Sequence, residues 1–470
     1  MNKIYQFLII CLITFNSSAQ SLQSTEDLDS LRALDVNETQ FFIDFVKSKN
    51  YEDAYKPWMS VRLRNPKYTE AIYVNKYGVK ILQHKIKTNE GLEKLDYIND
   101  LINLYEEYTQ NFPNKIKKGD ILGKIAKTRY DYRNELGLTV QELYSGFDIA
   151  FKRDLKTFNN PLHLYTYFKL MVKLFDNNLK TAEELFTKYD EILEKVENEI
   201  KNYTAQVNKF ISTSDDEIAL SSKDQKRLNS YNSYLSNYDK IMRGMSKDIG
   251  DRGNCENLIP LYENNFDVNK NDTKWLSRAM NRLYKKECVE TELYIKIVKQ
   301  KVSIEPDAKT AFYLGNIKDK QGDSSEALVY YNQAIELEND SYEKAKILFL
   351  IAQNYRKKGS YSKARSYYNQ ALDNNPSMGQ AHLAIASMYA KSANRCGDSN
   401  FNKRAVFWLA AKEAAKAGRV DSKLKKDASR AVKSYNSNAP QKSEVFSEGR
   451  AGESIRIGCW IGRTIRVPNL

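Results

Sequence analysis

Residues 311–337 read AFYLGNIKDKQGDSSEALVYYNQAIEL, and residues 348–376 read LFLIAQNYRKKGSYSKARSYYNQALDNNP. Set against one another at Leu314-Gly315 and Ile351-Ala352, the two stretches match at Gly322 and Gly359, at Ala327 and Ala364, at Tyr331 and Tyr368, and at Ala334 and Ala371; Pro376 closes the second. A third copy opens with HLAIASMYAKSA, where Ile385-Ala386 takes the same place. Small residues at fixed spacing let two helices approach closely, large ones fill the gaps between them, and a glycine in the connection reverses the chain. The predicted unit is helix–turn–helix. One such unit cannot bury its apolar face alone, so stacked copies must share a continuous core.

The pattern resembles the tetratricopeptide repeat (TPR), a helix–turn–helix unit of about 34 residues. Here the spacing is stretched at Glu338–Glu343. The third copy departs after Ala393, where NRCGDSNFNK precedes the helix AVFWLAAKEAAKAG, and Ser422–Tyr435 reads as a helix capping the array. The resemblance implies an all-α, right-handed helix-turn-helix solenoid whose first helices line a concave groove. By the repeat register the groove positions are Lys309, Phe312, Asn316 and Lys320, then Lys346, Phe349, Gln353, Arg356 and Lys357, then Gln380, Leu383, Ser387 and Lys391. Two phenylalanines among basic and amide groups suit an extended or helical peptide with acidic residues. Some TPR domains clamp a terminal carboxylate with Lys and Asn; Asn316 matches one such position, but Phe312 and Leu350 replace others, so no clamp is expected. The plainer reading of each residue is a solvated charge or a packing ring, and the groove is read as a set.

Bulk composition agrees with a thin, surface-rich solenoid: of 470 residues 41% are apolar and 28% charged, with 32 Tyr but only 19 Gly and 9 Pro. Upstream of the repeats, apolar periodicity marks helices at Thr69–Ile86, Glu93–Phe112, Gly119–Leu136, Thr139–Phe158 and Pro161–Asn178, after a helix, a turn at Lys49-Asn50 and a helix ending before Pro66. Pro57 either kinks that helix or splits it. Residues 181–212 and 222–249 form two long amphipathic patterns, read as an antiparallel hairpin whose acidic turn at Asp215–Glu217 is a solvated loop. The expected organisation is a signal peptide (1–19), a flexible lead-in (20–38), an N-terminal helical, TPR-like domain (39–178), a long helical hairpin (179–250), a disulfide-stapled helical pair (251–300), a TPR array with a capping helix (301–436) and a pinned C-terminal tail (437–470).

Compartment follows from the first residues. MNKIYQFLIICLITFNSSAQ has one Lys, an apolar run from Ile4 to Phe15, and small residues before a cut ahead of Gln20. The run is too short to span a bilayer, and no later segment is long and apolar enough, so no transmembrane segment is expected in the mature chain. Leu8-Ile9-Ile10 ahead of Cys11 lacks the small residue a lipidation box needs. The net charge of +13 and pI of about 9.1 admit nucleic acid, an anionic envelope surface or acidic proteins as partners, and export argues against nucleic acid.

Loss of the leader leaves Cys255, Cys288, Cys396 and Cys459, which three connectivities can pair. The favoured pairing is Cys255–Cys288 and Cys396–Cys459, because each closes one local unit. Cys255 opens the first helix of GNCENLIPLYENNFDVNKNDTKWLSRAMNRLYKKEC and Cys288 follows the second, so a disulfide would staple that hairpin. In the tail, Ser454–Ile457 and Thr464–Val467 alternate as strands around Gly458-Cys459-Trp460-Ile461-Gly462. Cys459 would then pin the tail over the end of the array, with Trp460 supplying buried area. The rival is a docking arm with a free Cys459.

Taken whole, the chain resembles exported TPR proteins of the Bacteroidota cell envelope. The shared features are the SSAQ leader, NYEDAYKPW, CENLIPLYE with KKEC, RCGDSNFNKRAVFWLAA and the GCWI ending. That resemblance implies a periplasmic or outer-membrane-face location, with peripheral membrane association, and a binding or assembly role without catalysis. His84, His163 and His382 belong to no metal or nucleophile motif, and the sequence holds no glycine-rich phosphate loop. No cofactor and no enzymatic activity are expected. The function expected is a scaffold or adaptor for envelope proteins or peptides bearing acidic residues, in secretion or outer-membrane assembly. The alternative is binding of acidic polysaccharide or lipid head groups by the basic surface.

Overall fold

A computed structural model describes residues 28–211 and 220–469. The expected signal peptide, Cys11 and the Asp215–Glu217 turn lie outside the described residues. The chain divides into two compact units, Met1–Lys180 and Thr181–Leu470.

In the first unit, α1 is helical over residues 28–47, followed by α2 (Tyr51–Arg64), a 3-10 turn (Glu70–Ile72), α3 (Gly78–Thr88), α4 (Gly91–Asn111), α5 (Lys118–Asp131), α6 (Val140–Arg153) and α7 (Pro161–Asp176). Two local expectations change. Residues 28–38, read as a flexible lead-in, are helical because Asp35, 2% exposed, accepts from Arg64 and Asn65, while Glu38 pairs with Arg64. The predicted helix Thr69–Ile86 is split. The indole Nε1–H of buried Trp58 donates to the Ile72 carbonyl at 2.9 Å, taking the acceptor that a continuous helix would use. Pro57 lies inside α2, which runs on through it with Ala54, Trp58 and Val61 fully buried on one side.

The second unit starts with α8 (Ala182–Asn208) and α9 (Ser222–Ile249). A capping box between Thr181 and Glu184 sets where α8 begins. A 3-10 turn (Gly250–Gly253) leads to α10 (Cys255–Asn269), α11 (Thr273–Lys285) and α12 (Glu292–Ile304). The repeats follow as pairs: α13 (Ala308–Lys320) with α14 (Ser324–Leu337), α15 (Ser341–Lys357) with α16 (Tyr361–Asn374), and α17 (Gly379–Cys396) with α18 (Asn400–Val420). Asp307, Asp323 and Asp340 cap the N-termini of α13, α14 and α15. The turn glycines Gly322 and Gly359 take φ of 88° and 76°, the left-handed region that lets each pair reverse within a few residues. Ala327, Ala334, Ala364 and Ala371 are buried at the crossings. At Gly315 there is no room for a methyl group, since an added Cβ would sit 2.6 Å from the Tyr331 ring. The described fold is all-α and TPR-like, with one small β-hairpin.

After a 3-10 turn (Ser422–Leu424), α19 (Lys425–Asn438) packs on α18, burying Ala428. A short α20 (Lys442–Ser447) precedes β1 (Ser454–Ile457) and β2 (Arg463–Arg466), which pair antiparallel with Ile455 opposite Ile465. Cys396 and Cys459 are joined, Cα atoms 5.2 Å apart, as are Cys255 and Cys288 at 5.7 Å. Ile455, Ile457, Ile461 and Val467 enter one core with Ala381, Ile385 and Tyr389 of α17. The half-buried Trp460 lies between Tyr361 and Tyr389, each ring centroid at 5.5 Å, and donates from Nε1 to Ser392 Oγ at 2.9 Å. Arg365 stacks over that indole and donates to the Ile461 carbonyl at 2.6 Å. The tail therefore lies against α16, α17 and the first turns of α18, where Arg450 donates to Asn402 and lies over Phe401, while α19 packs along α18.

Candidate functional site: the cavity beneath the α8–α9 hairpin

The inner helices of the array do not face open solvent along their whole length. Helix α8 spans them, held by long polar side chains. Arg278 of α11 makes a two-pronged bond to Glu194, at 2.7 and 2.9 Å. Arg282, buried, bonds Asp190 and the Phe186 carbonyl and lies over the Phe186 ring. Lys285 reaches Glu197 at 3.3 Å, and Lys201 reaches Asp340, the cap of α15, at 2.8 Å. At the far end the Asn208 amide bridges Asn375 and the Ser377 backbone ahead of α17, at 3.1 and 3.2 Å. Asp190, Glu194 and Glu197 recur at the spacing of one helix face, as do Arg278, Arg282 and Lys285.

Between this hairpin and the array is a half-open cavity of about 450 Å³. Its walls come from α8 (Glu197, Ile200, Thr204), α9 (Leu235, Asp239, Met242), α11 (Tyr284, Lys285), α13 (Lys309, Phe312), α15 (Tyr342, Lys346, Phe349, Leu350) and Asp421 after α18. The lining is mostly apolar with two charged patches. In the first, Glu197 is surrounded by lysines. Burial pushes its carboxyl up, but Lys285, Lys346 and Lys309 outweigh that and hold it below the usual value. Burial likewise pulls Lys346 down, and Glu197 and Glu343 more than restore it. In the second patch, burial raises the Asp421 carboxyl, Asp239 adds to the rise, and Lys423 opposes it. The Tyr284 hydroxyl is pushed up to about 12 by burial, so it stays a neutral donor.

The thirteen groove positions read from the sequence do not form one surface. Lys309, Phe312, Lys346, Phe349 and Gln380 meet in the cavity wall, and Leu383 and Ser387 lie outside it. Phe312 presents little of itself: it is 2% exposed and packs against Tyr284, Tyr313 and Tyr331. Asn316 is buried outside the lining, its Oδ1 unpaired among the described residues. Lys320, Gln353, Arg356, Lys357 and Lys391 lie toward the C-terminal ends of α13, α15 and α17, away from the cavity. There Lys320 pairs with Glu290, and Lys357 and Lys391 are exposed. What the sequence reading missed is the role of α8, whose acidic stripe matches the basic stripe of α11. His84, His163 and His382 lie outside the lining; His382 bonds Glu413 at 2.5 Å. No group of His, Cys, Asp and Glu fit to hold a metal occurs among the described residues, and none of the described helices is long and apolar enough to cross a membrane.

A family model of the tetratricopeptide repeat matches residues 306–377, the α13–α16 pairs. None of the curated proteins searched matches this chain. Among solved structures, it is similar to MamA, at 17% identity over 44% of this chain and 99% of that one, with a TM-score of 0.27. Human IFIT1, solved with m7Gppp-AAAA, is 14% identical over 75% of this chain and 72% of its own, TM-score 0.31. A tetratricopeptide repeat protein from Parabacteroides merdae is 11% identical over 67% of this chain and 97% of its own, TM-score 0.24. The chain carries tetratricopeptide repeats, an architecture that serves as a scaffold for protein interaction.

Proposed function

We propose that this protein is a non-catalytic TPR scaffold that holds envelope proteins or peptides bearing acidic residues, on the periplasmic side of the cell envelope, in secretion or outer-membrane assembly. The observation that carries the reading is α8. It is a helix of the same chain seated across α11 and the inner face of the array, and on α11 its contacts set Asp190, Glu194 and Glu197 against Arg278, Arg282 and Lys285. Such pairs are charge-assisted and, for Arg278, bidentate, which favours acidic segments over neutral ones. A partner in trans would use the ends that α8 leaves open, where Arg356, Lys357 and Lys391 stand. Location rests on the leader and on the cystines, which persist in oxidising compartments.

The test is cross-linking and capture from intact cells, the tagged wild type beside Arg356→Glu/Lys357→Glu/Lys391→Glu, with cell fractionation. The expected result is a set of envelope proteins recovered by the wild type and lost in the variant. Equal recovery by both removes the basic edge as the docking surface. Recovery of glycan or lipid alone, abolished by salt, replaces the protein scaffold with a surface for acidic polysaccharide or lipid head groups.

A further inference from the structure

We propose that the cavity between the α8–α9 hairpin and α11, α13 and α15 binds a small amphipathic anion, its carboxylate or phosphate held by Lys309 and Lys346 and its aromatic or aliphatic body laid against Tyr284, Tyr342, Phe349 and Leu350. This goes beyond the scaffold reading, which concerns the outer edge of the array.

Three observations carry it. The cavity measures about 450 Å³, within the roughly 300–1,000 Å³ of small-ligand sites. Helix α8 crosses the face and blocks the path along it, so the remaining space suits a compact ligand and not a polypeptide lying along the groove. The second observation is charge. Around Glu197 stand three ammonium groups, while the acidic side chains of that patch are Glu197 and Glu343. Lys285 bonds Glu197 at 3.3 Å and Lys346 bonds Glu343 at 3.2 Å. Lys309 is exposed and has no ion pair among the described residues. One positive charge in excess thus faces an apolar-walled space, where an added anion interacts more strongly than on open surface. Third, polarity sets an orientation. On another wall Asp239 is bonded to Arg243 and Asp421 stands beside Lys423, so that wall offers no excess positive charge and the anionic head is drawn to Lys309 and Lys346.

The probe is anilinonaphthalene sulfonate, an aromatic anion that fluoresces in apolar surroundings, titrated into the full folded chain. We expect saturable, one-to-one binding. Lys309→Gln/Lys346→Gln should weaken it about tenfold and Phe349→Ala about threefold, with helicity unchanged by circular dichroism. Lys357→Gln/Lys391→Gln should leave it as in the wild type. Decanoate and phenyl phosphate should displace the probe, each at a lower concentration than inorganic phosphate; which of the two acts at the lower concentration tells whether the natural body is a chain or a ring. Unsaturable binding, equal binding by the lysine double variant, or displacement by inorganic phosphate as effective as by decanoate overturns the proposal. Should the double variant fail to fold, Lys309→Gln alone serves. Lys309 is exposed, so its replacement leaves the packing intact; binding should weaken several-fold, and unchanged binding overturns the proposal.

Discussion

At the centre of the first unit stand Trp58, Tyr73, Phe147, Phe158, Tyr167 and Phe168, each fully or almost fully buried. At the helix crossings of the repeat array stand Gly315, Ala327, Ala334, Ala364 and Ala371. In the first unit each large ring makes its contacts once, whereas in the array alanine and glycine set the distance between helices and the buried rings Tyr331 and Tyr368 recur with them, so that one geometry repeats. A unique core fails at the point where a ring is lost. A periodic one loses one interface at a time and is most exposed at its ends.

The largest effect expected is in the first unit. Trp58→Ala removes a fully buried ring and its bond to the Ile72 carbonyl, a loss of about 3–5 kcal/mol. Hydrogen exchange should show protection falling across residues 28–180 while α13–α16 keep theirs. Equal loss in both units would break the contrast between a unique core and a periodic one. Next comes the end of the array. Cys396→Ser opens a loop spanning 63 residues, worth about 4 kcal/mol in the chain-entropy model. Limited proteolysis should cut the tail at residues 448–462 and leave α13–α16 intact; an unchanged melting temperature and cleavage pattern would mean that the tail contributes nothing to the array.

A third and smaller effect is a pH dependence specific to the first unit. His163 is buried beside Phe147 and Phe158, with Asp120, Lys124 and Lys127 near it. Burial lowers its pKa to about 4, from 6.5; Lys127 and Lys124 add to this and Asp120 opposes it. The folded unit therefore resists a proton that the unfolded chain accepts. The stability held by neutral His163 is complete above 6.5 and declines as pH falls toward 4, costing roughly 2 kcal/mol at pH 5. Denaturant titrations at pH 7 and 5 should show this loss in the wild type and a flatter profile in His163→Gln. Matching slopes would assign the acid sensitivity to other groups.

The array was the most legible region because its signal is local and repeated: Gly322 and Gly359, Ala327 and Ala364, Tyr331 and Tyr368 each announce the same turn or crossing twice. The tail strands were legible from alternation, with β2 observed at Arg463–Arg466 against an expected Thr464–Val467. In the first unit the helices were visible by period, but their ends were not. Asp35 and Trp58 act on Arg64 and Ile72, partners that no local window associates with them. The groove positions lie on α13, α15 and α17, yet a repeat register says nothing of what lies across the face. Hence Phe312 and Asn316 are packed, and only part of the set meets in one cavity.

By itself, the sequence determined the all-α class, the helix–turn–helix repeat with its glycine turns, and the basic charge, because class and repeat depend on residues within a few positions of one another and net charge is a sum over the chain. Only the tertiary structure decided that α8 lies across the array and leaves a walled cavity there. The stripes on α8 and α11 were present in the sequence, but about 90 residues separate them, Arg282 and Asp190 being 92 apart. Charge complementarity at that distance does not name its partner. Packing does, by placing one helix where the long side chains of the other can reach it.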